Sequence, residues 1–511
     1  MSTRLTYTSG DMTAAAQEFE VRLAEARAAG GGDPAPHLIG GEEVAEGDVF
    51  ERRDPSRTDD VASRAHDGAA LAGCAIDAAR AAAAGWRATH YAERCALMRR
   101  LADGISERHL ELAAVASMEA GKTRAESIAE VQEAVDLITT YAALMEDNDG
   151  YTRPMASFVS GETNTDVLRP YGVFAVISPF NFPAALAINM AGAALIAGNT
   201  VVLKPSEEAP RTGAIVGEIG RDTLPPGVLN VLHGGPATGA ALVDGEVDGV
   251  AFTGSAEVGR AIARQMQEGP FARPALTEMG GKNPAIVTAR ADLDKATEGV
   301  ARAGFGLSGQ KCSACSRAIV DAAVHDEFVE RLAAFTGTLA VGDIADAATF
   351  VGPVVNERSI ERFEAAAVAA RRDGRIAAGG DRPDESGHYV SPTVVAGLPI
   401  GHPLTREELF LPFVTVTQVD GLGEAIVEAN APAYGLTAGI FTEDETEGAR
   451  FLDEIEAGVV YVNRRAGATT GAWPGTQTFC GWKSSGATGK GGLGPYYLPQ
   501  FMREQSRTVV G

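Results

Sequence analysis

The chain has 511 residues, enough for about three domains at roughly 150 residues each. Its 45% hydrophobic and 22% charged residues are globular values, which exclude a disordered or membrane-embedded chain. With 44 basic and 68 acidic residues the net charge is −24, which argues against a nucleic-acid partner.

Residues 1–27 read as a short helix of mixed charge, and 28–36, rich in Gly and Pro, as a linker. Asp11, Glu18 and Glu20 speak against a secretory or organellar leader. From about 70 to 147, apolar residues recur at three- and four-residue steps, which predicts helices. The polar segment 152–170 breaks that rhythm and suits a projecting hairpin. Short apolar strands are then predicted at 172–178, 200–203, 228–232, 249–252 and 285–288. Helices are predicted between and after them, at about 184–197, 211–221, 236–243, 255–267 and 291–308. The apolar run 182–203 is broken by Pro183, Asn189 and Asn199, so it reads as a buried helix and strand rather than a membrane span. Strand–helix alternation with apolar strands predicts a parallel sheet covered on both faces. A second alternating series, from Arg317 to about Asn463, predicts a second α/β domain. The last strand, 501–510, is suited to pair with an edge.

Ala120-Gly121-Lys122-Thr123 is similar to the end of a phosphate-binding loop. Ala116 stands where that loop needs Gly and no strand precedes it, so a turn between two helices is expected. Asn181 sits between Pro179 and Pro183, which fix the backbone around an amide able to donate a hydrogen bond. Lys204 and Glu207 end a strand and fit either a ribose grip or a solvated ion pair. Gly254-Ser255 turns a strand into a helix, a geometry suited to a pyrophosphate, although Ser is also an ordinary helix cap. Glu278 precedes a glycine pair and is a candidate general base. Cys312 and Cys315 admit three readings: a catalytic thiol, a metal site, or inert buried thiols. No second C-x-x-C exists and the nearest histidine, His325, is on a following helix, so no metal is expected. Lys311 and Arg317 are expected to lower the pKa of the Cys312 thiol. The other cysteines are Cys74, Cys95 and Cys480, and an odd, sparse set of five predicts a reducing, cytoplasmic setting.

In order along the chain, P-F-N-F-P, K-P-S-E, F-T-G-S, E-M-G-G-K-N-P, G-Q-K-C and E-L-F-L-P together resemble the aldehyde dehydrogenase superfamily. The resemblance runs from His37 to the last strand. It implies an α/β fold of two parallel-sheet domains plus a small β oligomerisation element. The implied boundaries are an extension and linker at 1–36, an NAD-binding domain at 37–151 and 171–280, and a catalytic domain at 281–490. The oligomerisation element would combine 152–170 and 491–511, and a homodimer or larger assembly is expected. By the same resemblance, Cys312 is the nucleophile, Asn181 holds the oxyanion and Glu278 activates water. Lys204 and Glu207 would grip the adenosine ribose, Gly254 and Ser255 the pyrophosphate, and Glu408 and Phe410 the nicotinamide side. Glu207 would repel a 2′-phosphate, which favours NAD over NADP.

The loop Gly309–Arg317 further resembles the branch of the family that oxidises L-glutamate γ-semialdehyde to glutamate in proline catabolism. That likeness implies substrate contacts from Glu133, Lys311, Ser313, Gly471 and Ala472, with Phe182 and Phe479 flanking the methylenes. Gly471 and Ala472 would offer N–H groups to the α-carboxylate, and Glu133 its carboxylate to the ammonium. Phe180, Leu411, Cys480 and about three extra residues before 470 depart from the pattern. Cys315 and Cys480 are expected to be packed thiols. Rival readings are another small semialdehyde dehydrogenase, a CoA-acylating or reductive relative, a thiol-redox protein, and a non-catalytic protein on the same fold.

Overall fold

The computed structural model describes residues 13–465 and 473–511. Its first sheet has seven strands, in the order Ala275–Met279, Gly249–Gly254, Val173–Ile177, Thr200–Lys204, Leu229–Val231, His37–Ile39 and Glu42–Val44. The first five run parallel. The central strand Val173–Ile177 has every residue buried. Phe174 and Val176 enter the core that includes the helix Ala185–Ile196, while Val173, Ala175 and Ile177 enter the core that includes Ala72–Ala88. Side chains alternate across a strand, so burial on both faces needs an unbroken apolar run.

The second sheet repeats this plan with Arg375–Ala378, Thr393–Ala396, Phe413–Val419, Cys315–Asp321, Asn283–Val287, Thr437–Phe441 and Val459–Val462. Ala285 and Val287 face one core and Ile286 the other. The segment Thr152–Met155 pairs antiparallel with Glu162–Pro170, and Met502–Val510 adds along the other side of the latter. The hairpin and the terminal pairing therefore agree with the sequence, as do the five strands from 172 to 288.

Three features differ. Each sheet is parallel only in part: His37–Ile39 and Glu42–Val44 join the first antiparallel, and Arg375–Ala378 the second. A charged hairpin, Val49–Asp54 with Arg57–His66, precedes the helices. Ala275–Met279, in a stretch for which the sequence predicts no element, is a strand, and it carries Glu278. Ala120–Thr123 is indeed a turn between helices. Thr123 caps Arg124–Asp147, its N–H and hydroxyl donating to Glu126 Oε2 at 3.1 and 2.8 Å.

Among the described residues no helix is long and apolar enough to cross a membrane.

Candidate active site

The carboxyl ends of the first sheet's strands open into a cleft of about 510 Å³. It brings together Asn181, Gly254, Ser255, Cys312, Glu408 and Phe410. A cavity of about 550 Å³ beneath the N-terminal helix Thr13–Ala28 holds none of the predicted site residues.

Cys312 lies half-buried between the helix Leu293–Phe305 and the strand Cys315–Asp321. The loop before it takes left-handed backbone at Leu307, Ser308 and Gly309. A side chain on Gly309 would strike the Leu411 carbonyl oxygen at 2.0 Å, so only glycine lets the loop cross there. Asn283 pins the loop from the second sheet, donating from Nδ2 to the carbonyls of Cys312 and Ala314 at 2.7 and 2.9 Å. Asn181 is buried, and its Nδ2 donates to the Gln310 carbonyl at 2.9 Å. One amide proton therefore orients the side chain and the other remains for a ligand.

Glu278 sits near the end of its strand, opposite Thr253. Burial pushes its carboxyl up to about 8. Among the described residues its shielded Oε1 has no hydrogen-bond partner. The Cys312 thiol is pushed up by burial and by the carboxylates of Glu278 and Glu408. This overturns the expectation that Lys311 and Arg317 depress it. The Arg317 guanidinium points elsewhere, donating to the carbonyls of Lys282, Glu428 and Ala429. Lys311 is itself lowered by burial and is drawn towards Glu126.

Lys204 Nζ donates to the carbonyls of Pro205 and Gly234 at 2.9 and 2.5 Å, and Glu207 lies 3.4 Å away. Ser255 caps the helix Ala256–Gln265, accepting from the Val258 N–H at 3.3 Å, so its ordinary capping role is filled. Glu408 accepts from the Gly281 N–H at 2.9 Å, and burial pushes its carboxyl up to about 7. A Cβ on Gly280 would meet Glu408 Oε2 at 1.9 Å, so this glycine admits the carboxylate. The Phe410 and Phe180 rings meet edge to face at 5.9 Å.

On the other side, Glu126, Glu130 and Glu133 lie at steps of four and three along Arg124–Asp147, which gives them one helix face. Glu130 reaches the turn that holds Asn181, and Glu126 the loop that carries Cys312. Phe182 and Phe479 are half-buried against the same core. Ser313 is buried, its carbonyl accepting from Thr437 Oγ1 at 3.3 Å. Gly471 and Ala472 lie outside the described residues. Cys315 and Cys480 donate to the carbonyls of Arg317 and Gly458, as packed thiols do. Among the described residues no group of three His, Cys, Asp or Glu could hold a metal. Sequence reasoning missed Lys122, Asn283 and Gln310 as parts of the site. All three stand inside segments that the sequence singles out, but only tertiary contacts reveal their partners.

A cleft at the strand ends, a loop-borne thiol and an unpartnered carboxylate define a family. Residues 43–506 match the aldehyde dehydrogenase family, and the chain belongs to it. It is 35% identical over 483 residues to the 1-pyrroline-5-carboxylate dehydrogenase of Staphylococcus haemolyticus, covering 93% of this chain and 92% of that protein. It is 38% identical over 453 residues to the alpha-ketoglutarate semialdehyde dehydrogenase of Haloferax volcanii, covering 86% and 92%. The structure of 1-pyrroline-5-carboxylate dehydrogenase from Thermus with bound NAD matches with a TM-score of 0.94 at 32% identity, over 100% of this chain and 98% of that one.

Proposed function

We propose that this aldehyde dehydrogenase oxidises L-glutamate γ-semialdehyde, the open form of 1-pyrroline-5-carboxylate, to L-glutamate with NAD. The observation that carries the reading is the placement of Glu133 on the same helix face as Glu126 and Glu130, whose carboxylates contact the Cys312 loop and the turn after Asn181. The relatives named for this reaction, which match over nearly their whole length, support it.

The cleft fits a dinucleotide: Gly254-Ser255 opens at a helix N-terminus, and Gly280 makes room for Glu408. Lys204 and Glu207 would hold the adenosine ribose, and Glu408 and Phe410 the nicotinamide side. When bound, NAD supplies the hydride acceptor. The chain's own residues do the rest. Cys312, its thiol proton lost to water, attacks the aldehyde carbon as the thiolate, and Asn181 Nδ2 and the Cys312 N–H hold the resulting oxyanion. After hydride loss a thioester remains on Cys312. Glu278 takes a proton from the water that hydrolyses it.

NADH formation across a panel of semialdehydes tests this reading. Glutamate γ-semialdehyde is expected to give the highest kcat/KM, and no NADH with any aldehyde would overturn the reading. The 38% identical Haloferax relative favours 2-oxoglutarate semialdehyde as the second reading. Glu133→Gln separates the two, because only the first substrate carries an ammonium. It should lower kcat/KM for glutamate γ-semialdehyde by about 10- to 100-fold and leave 2-oxoglutarate semialdehyde nearly unchanged. An equal loss with both would remove Glu133 from the recognition.

Glu207→Ala should raise KM for NAD about five- to tenfold with little change in kcat, and bring NADP closer to NAD. Initial rates with both dinucleotides check this, and an unchanged ratio would refute the ribose role.

The two seven-stranded sheets support a division into an NAD-binding domain at 37–151 and 171–280 and a catalytic domain at 281–490. The three-stranded sheet formed by 152–170 and the C-terminus, with Phe158, Val509 and Val510 exposed, supports a homo-oligomer. Five free cysteines support a reducing, cytoplasmic setting.

A further inference from the structure

Lys122 belongs to the Ala120–Thr123 turn that resembles a phosphate loop, and the mechanism above gives it no part. Its side chain is nevertheless fully buried, as is that of Glu130, with Nζ 2.9 Å from Glu130 Oε2. The same Nζ donates to the Asn181 carbonyl oxygen at 2.6 Å and stands 3.8 Å from the centre of the Phe182 ring. The ammonium therefore meets a carboxylate as an ion pair, a carbonyl oxygen through a hydrogen bond and an aromatic face. Glu130 completes the clamp from the other side. Its Oε1 accepts from the N–H groups of Ala184 and Ala185, where the helix Ala185–Ile196 begins. Residues 181–185 are thus held at both ends by one ion pair. Asn181 in turn donates to Gln310, two residues before Cys312.

The pair is not explained by stability. Removing two charges from water can cost more than their attraction returns, and apolar replacements are often as stable or more so. Composition points the same way. Only seven of the 44 basic residues are lysines, so the chain meets most of its needs for positive charge with arginine. A planar guanidinium cannot supply three divergent donors from one point. No substrate atom can touch Lys122, which has no exposed surface.

We infer that the buried Lys122–Glu130 pair is a positioning device that sets the Asn181 amide, and with it the oxyanion site, against Cys312. The inference rests on the reading of Asn181 as the oxyanion donor. Lys122→Met alone leaves a buried carboxylate without its partner, so the test uses Lys122→Met/Glu130→Gln. That variant is neutral and keeps an oxygen for the Ala184 and Ala185 N–H groups. The readout is the rate of the pre-steady-state NADH burst at saturating concentrations of the best aldehyde of the panel. The variant should keep its thermal midpoint and a KM for NAD within about twofold of the parent. Its burst should slow by about tenfold or more, because sub-ångström displacement of an aligned donor is costly.

Asn181→Ala and the triple variant are measured in parallel. Asn181→Ala should slow the burst, and adding Lys122→Met/Glu130→Gln to it should slow the burst little further, since the pair acts through Asn181. An unchanged burst in the folded double variant, or a loss that adds in full to that of Asn181→Ala, overturns the inference and leaves the oxyanion reading intact. A burst that Asn181→Ala leaves untouched overturns the oxyanion reading itself, and the inference with it. Should Lys122→Met/Glu130→Gln not fold, Glu130→Gln is read in the same way. It should slow the burst about threefold or more, and an unchanged rate overturns the inference.

Discussion

Replacing Cys312 with Ser lowers NADH formation by on the order of 10⁴-fold or more with every aldehyde, while the affinity for NAD is retained. The exchange is chemically severe and structurally mild. The loop's course is held by other residues: left-handed backbone at Leu307, Ser308 and Gly309, and the Asn283 amide on the carbonyls of Cys312 and Ala314. None of these uses the Cys312 side chain, so the variant keeps the loop and loses the proposed nucleophile. A hydroxyl ionises far above a thiol, and burial with two nearby carboxylates already disfavours an anion at this point. Thermal midpoints and equilibrium NAD binding check that the fold and cofactor site survive. Stopped-flow absorbance checks the chemistry. NADH formation within about a hundredfold of the parent would mean that another group attacks the aldehyde.

That experiment concerns a residue whose identity was legible but whose surroundings were not. Proline and glycine spacing singles out Asn181 and Glu278, whereas the family resemblance selects the Cys312 thiol from three open readings. The central strands were legible for a similar reason: a strand buried on both faces, such as Val173–Ile177, must be apolar throughout. The hairpin Val49–His66 hid behind its charges. Arg52 is buried there because its guanidinium meets the carbonyls of Glu119 and Val355, one of them more than 300 residues away in sequence. Ala275–Met279 is short and mixed in polarity, and it ends the sheet with a single neighbour, Gly249–Gly254. The environment of the thiol was misread for a related reason. Lys311 and Arg317 are near Cys312 in sequence, but Glu278 and Glu408 arrive through the fold, and Arg317 turns away to Glu428. Sequence proximity reports neither burial nor direction, and both decide a pKa.

Glu278→Gln should separate the two halves of the reaction. Acylation needs Cys312 and the oxyanion donors, so one equivalent of NADH per site should still form in a burst. Hydrolysis needs a base, so steady-state turnover should fall by about 10²- to 10⁴-fold. The substitution is nearly isosteric and the strand does not depend on it. The Met279 N–H bonds the Ser485 carbonyl at 2.9 Å, and Glu278 itself pairs with Gly486 through the backbone. The pH profile gives a second test. Burial holds the carboxyl at about 8, above its ordinary range, by disfavouring the charged form. The base must be ionised to act, so at pH 7 about a tenth of the enzyme is competent. In the parent, turnover should therefore rise with pH, by about tenfold per unit well below 8, and level off above it. In Glu278→Gln that rise should vanish while the burst remains. A profile that falls through pH 8, or a Gln variant that keeps the parent's slope, would assign the proton transfer to another group. A variant that loses the burst along with turnover would place Glu278 in the attack of Cys312.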